Sequence, residues 1–98
     1  MQITQYIDRT PTGYEKITVT NAAVSRLDAT LRAASNAVFI TIEDVGIRYR
    51  IDSGDPDAND GHVVAVGSNM YFVDPHSIQN LRMISTGADA IAIVTYYI

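Results

Sequence analysis

A chain of 98 residues suits a single domain, residues 1–98, built around one hydrophobic core. Hydrophobic residues make up 47% of it and charged residues 18%, and this balance excludes an intrinsically disordered protein. The 11 acidic and 7 basic residues give a net charge of −4, which argues against nucleic acid as a partner. Cysteine is absent from the sequence, so disulfides and thiolate metal ligands are excluded. No apolar run reaches the roughly 20 residues of a membrane span and the N-terminus lacks a leader pattern, so we expect no membrane partner.

The first third of the chain contains two strand patterns and then a segment with two interpretations. We predict strands at residues 2–7 and 14–20, joined by a linker that contains proline and glycine. Residues 21–36 carry three apolar side chains at helical spacing, namely Val24, Leu27 and Leu31. The segment is either a helix of two or three turns capped by its first asparagine, or an extended alanine-rich loop that places Leu27 in the core.

Alternation between apolar and polar side chains is strongest in two consecutive runs, residues 37–43 and 45–51. In the second run, Arg48 and Arg50 share the face opposite to the apolar residues. The residues between the runs, 43–46, predict either a hairpin connection or one strand that continues through a bulge.

Several carboxylates lie close in the sequence to the two arginines. Arg48 and Arg50 can form ion pairs with carboxylates of a neighbouring subunit, in bidentate fashion. They can equally pair within the chain with Glu43 or Asp52, and we favour this intrachain alternative.

The segment that follows, residues 52–61, holds four aspartates, one proline and two glycines and is therefore a loop. Three of its side chains imitate the first ligand positions of a calcium loop, Asp55, Asp57 and Asn59. The glycine of such a loop comes one position late, at Gly61, and Val66 stands where the closing glutamate belongs. We therefore favour a solvated polar turn and predict no metal and no cofactor.

The remainder of the chain alternates short strands with turns. The predicted strands are residues 62–66, 70–73, 81–85 and 90–98, and Pro75 marks a break between the second and third of them. About eight strands at a spacing of roughly 8–12 residues are typical of a small all-β domain. We predict an antiparallel β-sandwich or a jelly-roll-like barrel, with one short helix near residues 21–36 as the open alternative.

Both faces of the last predicted strand are largely apolar. Residues 91, 93, 95 and 97 alternate with residues 92, 94, 96 and 98, and neither set is polar. A solvated antiparallel strand has one polar face, so this strand is covered on both sides. The second cover is another subunit, a loop or the segment 21–36, and the six tyrosines favour a homo-oligomer or another protein partner.

Residues for catalysis are scarce. His62 lies at the edge of the acidic loop, and His76 lies in a turn next to Ser77 with no third group in view. Phosphate-binding glycine motifs are absent from the sequence. We predict that the protein is not an enzyme.

The central run resembles a pattern found in small virion proteins of tailed bacteriophages. In that pattern an Arg-x-Arg strand precedes an Asp-x-Gly-x-Pro turn, a glycine, a short apolar strand and a C-terminal aromatic segment. The corresponding pieces here are Ile47-Arg48-Tyr49-Arg50, Asp52-Ser53-Gly54-Asp55-Pro56, Gly61, residues 70–73 and Thr95-Tyr96-Tyr97. The resemblance covers about two-thirds of the chain, from Ala37 onward.

This resemblance implies a non-enzymatic β-sandwich or jelly-roll module located in the virion. Its most specific expectation is a capsid decoration, or cement, protein that stabilises the head through contacts with its own copies, with the major capsid protein or with another virion protein. The alternative is a receptor- or carbohydrate-binding module of a tail or fibre, which would use exposed tyrosines and the acidic loop. The residues expected at the contact surface are Tyr14, Arg48, Arg50, Tyr96 and Tyr97.

Overall fold

The computed structural model describes residues 9–98, so the strand predicted at residues 2–7 lies outside the described residues. Within this range the chain forms eight strands and two short helices. In chain order they are β1 (Pro11–Val19), β2 (Ser25–Arg26), α1 (Ala29–Ala33), β3 (Ala37–Glu43), β4 (Ile47–Arg50), β5 (His62–Val64), β6 (Asn69–Phe72), α2 (Pro75–Asn80), β7 (Arg82–Ser85) and β8 (Ala90–Tyr97).

The strands form two four-stranded antiparallel sheets. We call them the long sheet, with the order β1-β8-β3-β6, and the short sheet, with the order β2-β7-β4-β5. The strands pair from the ends of the chain inward, β1 with β8, β2 with β7, β3 with β6 and β4 with β5. This is the topology of a jelly roll, in which one long hairpin is wrapped across two sheets. The predicted all-β sandwich is confirmed.

The core lies between the two sheets and follows the predicted alternation. In β3 the side chains of Val38, Ile40 and Ile42 point inward and are buried, whereas Phe39 and Thr41 point outward. The largest fully buried side chains are Tyr96, Leu27, Ile40, Ile42, Ile47, Ile78, Leu81 and Met83. Burying a side chain of this size stabilises the fold by about 1.5–3 kcal/mol, so these residues hold the sheets together.

The connection between β3 and β4 is not a hairpin, and it is not a continuous strand either. β3 belongs to the long sheet and β4 to the short sheet, so the chain crosses from one sheet to the other at residues 44–46. Asp44 takes a left-handed conformation with a φ of 74°, and the Val45 N–H donates to the Glu43 carbonyl at 2.9 Å. Aspartate tolerates this backbone region better than most residues do, which allows the tight redirection.

The segment 21–36 combines parts of both predicted alternatives. Its helical part is the single short helix α1, which is capped by Asp28, whose side chain accepts the N–H groups of Thr30 and Leu31. Leu27 is buried in the core, and Leu31 packs against the core from the side. The segment therefore lies on the core side of β8 and does not cover its other face.

The second helix, α2, was not predicted. Asp74 caps it by accepting the Ser77 N–H at 2.9 Å, and Pro75 occupies the first helical turn, where its missing N–H costs nothing. Ile78 anchors the helix in the core. Neither α1 nor α2 is long and apolar enough to cross a membrane.

Candidate interaction surface

The outer face of the short sheet carries a row of arginines. Arg50 and Arg26 lie directly opposite Arg82, one on each side of β7. Arg48, two residues before Arg50 on β4, lies opposite Ile84. Residues that oppose one another in an antiparallel pair point to the same side of the sheet. Four of the seven basic residues therefore lie on one face of the sheet, where their positive charges repel one another unless carboxylates lie nearby.

The acidic loop supplies this compensation by folding over the arginines; we call residues 52–61 the acidic strap. Arg50 donates to both carboxylate oxygens of Asp52, at 3.0 and 2.7 Å, and lies 3.6 Å from Asp60. Arg82 donates to Asp55 at 2.8 Å. The hydrogen bonds and charge of Arg50 lower the pKa of the Asp52 carboxyl to about 2. Of the predicted intrachain partners, Asp52 is the one that Arg50 uses.

Arg48 completes the attachment through backbone groups. Its guanidinium donates to the carbonyls of Ala58 at 3.0 Å and Gly61 at 2.9 Å. Gly61 adopts a φ of 124°, which turns the chain from the strap into β5. Both predicted contact arginines thus hold the strap on the short sheet.

The strap has the hydrogen-bond pattern of an anchored turn and not that of a calcium loop. The Asp55 carboxylate is bound to Arg82, and the Asp57 carboxylate accepts the Asn59 N–H at 2.8 Å. A backbone bridge joins Asp57 to Asp60. In residues 9–98 no three acidic or histidine side chains lie close enough together to hold a metal ion.

Beside the strap is a shallow depression of about 420 Å³, lined by Arg50, Ile51, Asp52, Asp60, Gly61 and His62. The ring of His62 packs at a tilt on that of Tyr49, with centroids 5.2 Å apart. His76 is not part of this depression; it lies on α2, next to the side chain of Asn80. The structure therefore does not bring the two histidines into a common cleft.

The outer face of the long sheet carries aromatic and aliphatic side chains among polar ones. One row across the sheet reads Tyr14, Thr95, Phe39 and Tyr71 on β1, β8, β3 and β6. The next two positions of β8 on the same face are Ile93 and Ile91. We define the outer patch as these six side chains, Tyr14, Phe39, Tyr71, Ile91, Ile93 and Thr95.

Within residues 9–98 no element packs over the outer patch. Both helices lie on the opposite side of the sheet, where Leu31 and Ile78 join the core. Tyr14 is 63% exposed, and the other five members are partly exposed between their neighbours. The described part of the chain therefore leaves Ile91, Ile93 and Thr95 on the second face of β8 partly exposed, while Tyr97 at the end of that face is only 7% exposed.

The five residues expected at a contact surface lie in three places. Tyr14 and Tyr97 are on the outer face of the long sheet, although Tyr97 is only 7% exposed. Arg48 and Arg50 lie on the other sheet, beneath the strap. Tyr96 is fully buried, and its hydroxyl donates to the Glu15 carboxylate. Tyr96 is therefore a core residue, and its burial and this hydrogen bond raise its pKa.

Several members of the outer patch were not singled out from the sequence. Phe39, Tyr71 and Ile93 belong to three different strands, and only the strand order brings them together. Alternation alone places Phe39 and Ile93 each on a face of its own strand. Pairing between distant strands is what merges those faces into one surface.

No protein-family model matches the chain, and no curated protein or solved structure is detectably similar to it.

Proposed function

We propose that the chain is a non-enzymatic structural protein of a tailed-phage virion, specifically a decoration protein that stabilises the head by subunit–subunit contacts. The observation that carries this proposal is the outer patch, which no described residue covers. A cluster of aromatic and aliphatic side chains left partly exposed on a sheet face is a candidate interaction site. The resemblance of residues 37–98 to small virion proteins supports the location.

The jelly-roll topology is compatible with this proposal but does not select it. Jelly rolls occur in viral capsid proteins and equally in lectins and cupins. Function depends on the surfaces that a particular chain places on the fold. Here the short sheet carries a polar surface on which Arg50 and Arg82 are paired with carboxylates, whereas the long sheet carries the outer patch, which no described residue covers.

The proposed mechanism is stabilisation by linked association. A surface that becomes buried on association adds its binding free energy to the folded, associated state. The isoleucines and aromatic rings of the outer patch supply apolar area, at about 25 cal/mol for each Å² removed from water. Polar neighbours such as Lys16 and Glu43 fix the orientation of the contact.

The alternative, a receptor- or carbohydrate-binding module, would use the acidic strap and the depression beside it. The carboxylates of Asp52 and Asp55 are already paired with arginines, which leaves fewer free groups for a sugar. Binding on a glycan array, lost in an Asp52→Asn variant, would favour that alternative over ours.

The deciding experiment is quantitative mass spectrometry of purified particles of the phage that encodes this chain, counted against the major capsid protein. We expect a copy number comparable to that of the capsid protein, and lower thermal stability of particles stripped of this chain. A few copies per particle would move the chain to the tail or a fibre. Absence from washed particles would contradict the virion assignment altogether.

A further inference from the structure

We infer that the outer patch binds a second copy of the same chain, in a two-fold symmetric, face-to-face dimer whose axis runs parallel to β8. This inference rests on the proposed function, because it identifies the partner of the outer patch, the surface on which that function is proposed. The charges around the patch and the order of its aromatic residues support the inference, and the size of the patch sets the expected affinity.

Two opposite charges flank β8 on the outer face of the long sheet. Lys16 lies on β1 directly opposite Ile93, and Glu43 lies on β3 directly opposite Ile91. Both side chains are exposed, and neither forms an ion pair among residues 9–98. The patch therefore has a positive and a negative border on opposite sides of its central strand.

A two-fold axis along β8 makes these borders complementary. Such an axis places β1 of each copy over β3 of its partner, with β8 over β8. Sheets stack about 10 Å apart and residues two positions apart are about 6.8 Å apart along a strand, so the Lys16 and Glu43 Cα atoms of opposing copies lie about 12 Å apart. Extended lysine and glutamate side chains span that distance. An axis across the strands would instead place β1 on β1 and bring two lysines together.

The same axis pairs the aromatic residues of the patch. Tyr14 and Phe39 lie in one row, on either side of Thr95. In the dimer each Tyr14 ring therefore faces the partner's Phe39, and the isoleucines of β8 meet at the centre. Aromatic pairs of this kind contribute beyond the area that they bury. The 63% exposure of Tyr14 in the single chain is then removed.

The size of the patch predicts a modest affinity. The patch spans three overlapping strands, about 14 Å across, and the rows from Ile91 to Thr95, about 14 Å along, so the two copies together bury on the order of 400 Å² of flat area and somewhat more with side-chain relief. This is below the roughly 1,000 Å² of a stable specific interface. We therefore expect a monomer–dimer equilibrium that depends on concentration, and not an obligate dimer.

Sedimentation velocity over a concentration series, from low micromolar to near millimolar, tests the inference on the purified full chain. The wild type is expected to shift from monomer to dimer, and Ile93→Lys is expected to stay monomeric because two lysines would meet at the axis. Val66→Lys is the matched control, since Val66 is 54% exposed in the β5–β6 loop and lies off the patch. Circular dichroism melting verifies that each variant is folded.

A charge-swap experiment tests the orientation of the two copies. Lys16→Glu and Glu43→Lys are each expected to weaken dimerisation by about tenfold or more, because each variant creates two like-charged contacts. The two single variants mixed one to one are expected to form a heterodimer, because both contacts are then attractive. Recovery in a mixture of Lys16→Glu with wild type alone would show that the lysines face each other and would overturn the proposed axis.

The outcomes separate this inference from the proposed function. A wild-type chain that stays monomeric throughout the series but binds particles would overturn the dimer and leave the decoration role. A chain that dimerises as described but is absent from particles would contradict the decoration role alone. Dimerisation that is unaffected by Ile93→Lys would place the interface elsewhere and overturn the inference.

Discussion

The hydroxyl of Tyr96 gives a buried aromatic ring a defined position in the core. It donates to the Glu15 carboxylate, which also accepts the Asp28 N–H at 2.9 Å. One carboxylate therefore connects β1, β8 and the N-terminus of α1. Removing the hydroxyl leaves that partly buried carboxylate with one donor fewer, and hydrogen bonds to charged groups are stronger than neutral ones.

Tyr96→Phe is therefore expected to lower the free energy of unfolding by about 1–2 kcal/mol, measured by denaturant titration at a concentration where the chain is monomeric. Tyr14→Phe is the matched control, because the Tyr14 side chain is 63% exposed. Its change is expected to stay within about 0.5 kcal/mol. Equal effects of the two substitutions would show that the Tyr96–Glu15 hydrogen bond does not contribute to stability.

Two glycines with positive φ offer a second test at the level of single residues. At Gly61 the φ is 124°, and an added Cβ would lie 3.1 Å from both the Tyr49 carbonyl oxygen and Pro56. At Gly67 the φ is 82°, with nothing within 4 Å of the same position. Gly67→Ala is expected to cost about 1 kcal/mol of backbone strain, whereas Gly61→Ala adds crowding and costs about 3 kcal/mol. Thermal melting of both variants checks this order, and a larger loss at Gly67 would contradict it.

Among the structural elements, the acidic strap depends most on ionised groups. The pKa of Asp52 is lowered from 3.8 to about 2, first by its hydrogen bonds from Arg50. A lowered carboxyl pKa in the folded state stabilises the protein above the unfolded value and stops doing so as the pH falls through the folded value. The contribution of this pair is therefore present at neutral pH and disappears between about pH 4 and pH 2.

Melting temperatures of the wild type and of Asp52→Asn are expected to differ at neutral pH and to converge below pH 2. The difference between the two proteins is the informative quantity, because Asp74 also has a lowered pKa through its hydrogen bond with Ser77. Asp89→Asn serves as the control, since Asp89 is exposed in the turn before β8. A difference between wild type and Asp52→Asn that persists in acid would mean that the strap is held by contacts other than the ion pair.

How far each element could be predicted from sequence depends on whether its cause is local. Alternation over Ala37–Glu43 predicts β3 with its observed bounds, because the two faces of that strand differ. The helix α2 was missed, although Asp74-Pro75 is a helix-start signal, because the following residues have no clear apolar periodicity. The ion pair between Arg82 and Asp55 joins residues that are 27 positions apart in the sequence. It therefore depends on strand order and not on any local pattern.

At the scale of the whole molecule, the jelly-roll topology distributes stability unevenly between the sheets. β8 is paired along its length with β1 on one side and β3 on the other, and its inward residues Ala92 and Val94 are fully buried. β5 has three residues, pairs only with β4 among the described strands, and exposes 62% of Val63. Local opening requires less free energy where fewer buried contacts and hydrogen bonds are lost.

Native-state hydrogen exchange is therefore expected to be slowest at the amides of β8 and β3, where exchange requires global unfolding, and faster by orders of magnitude in β5 and the acidic strap. Arg50→Gln is expected to accelerate exchange in the strap further, because it removes the guanidinium that binds Asp52 and Asp60. The rates in β8 should rise only as far as any loss of global stability in that variant requires. Equally slow exchange in β5 and β8 would contradict this division and indicate that the two sheets open as one unit.

Slow exchange in β8 would mean that the strand beneath the outer patch is the most rigid part of the chain. The patch is then preorganised for association, and little ordering entropy is lost on binding.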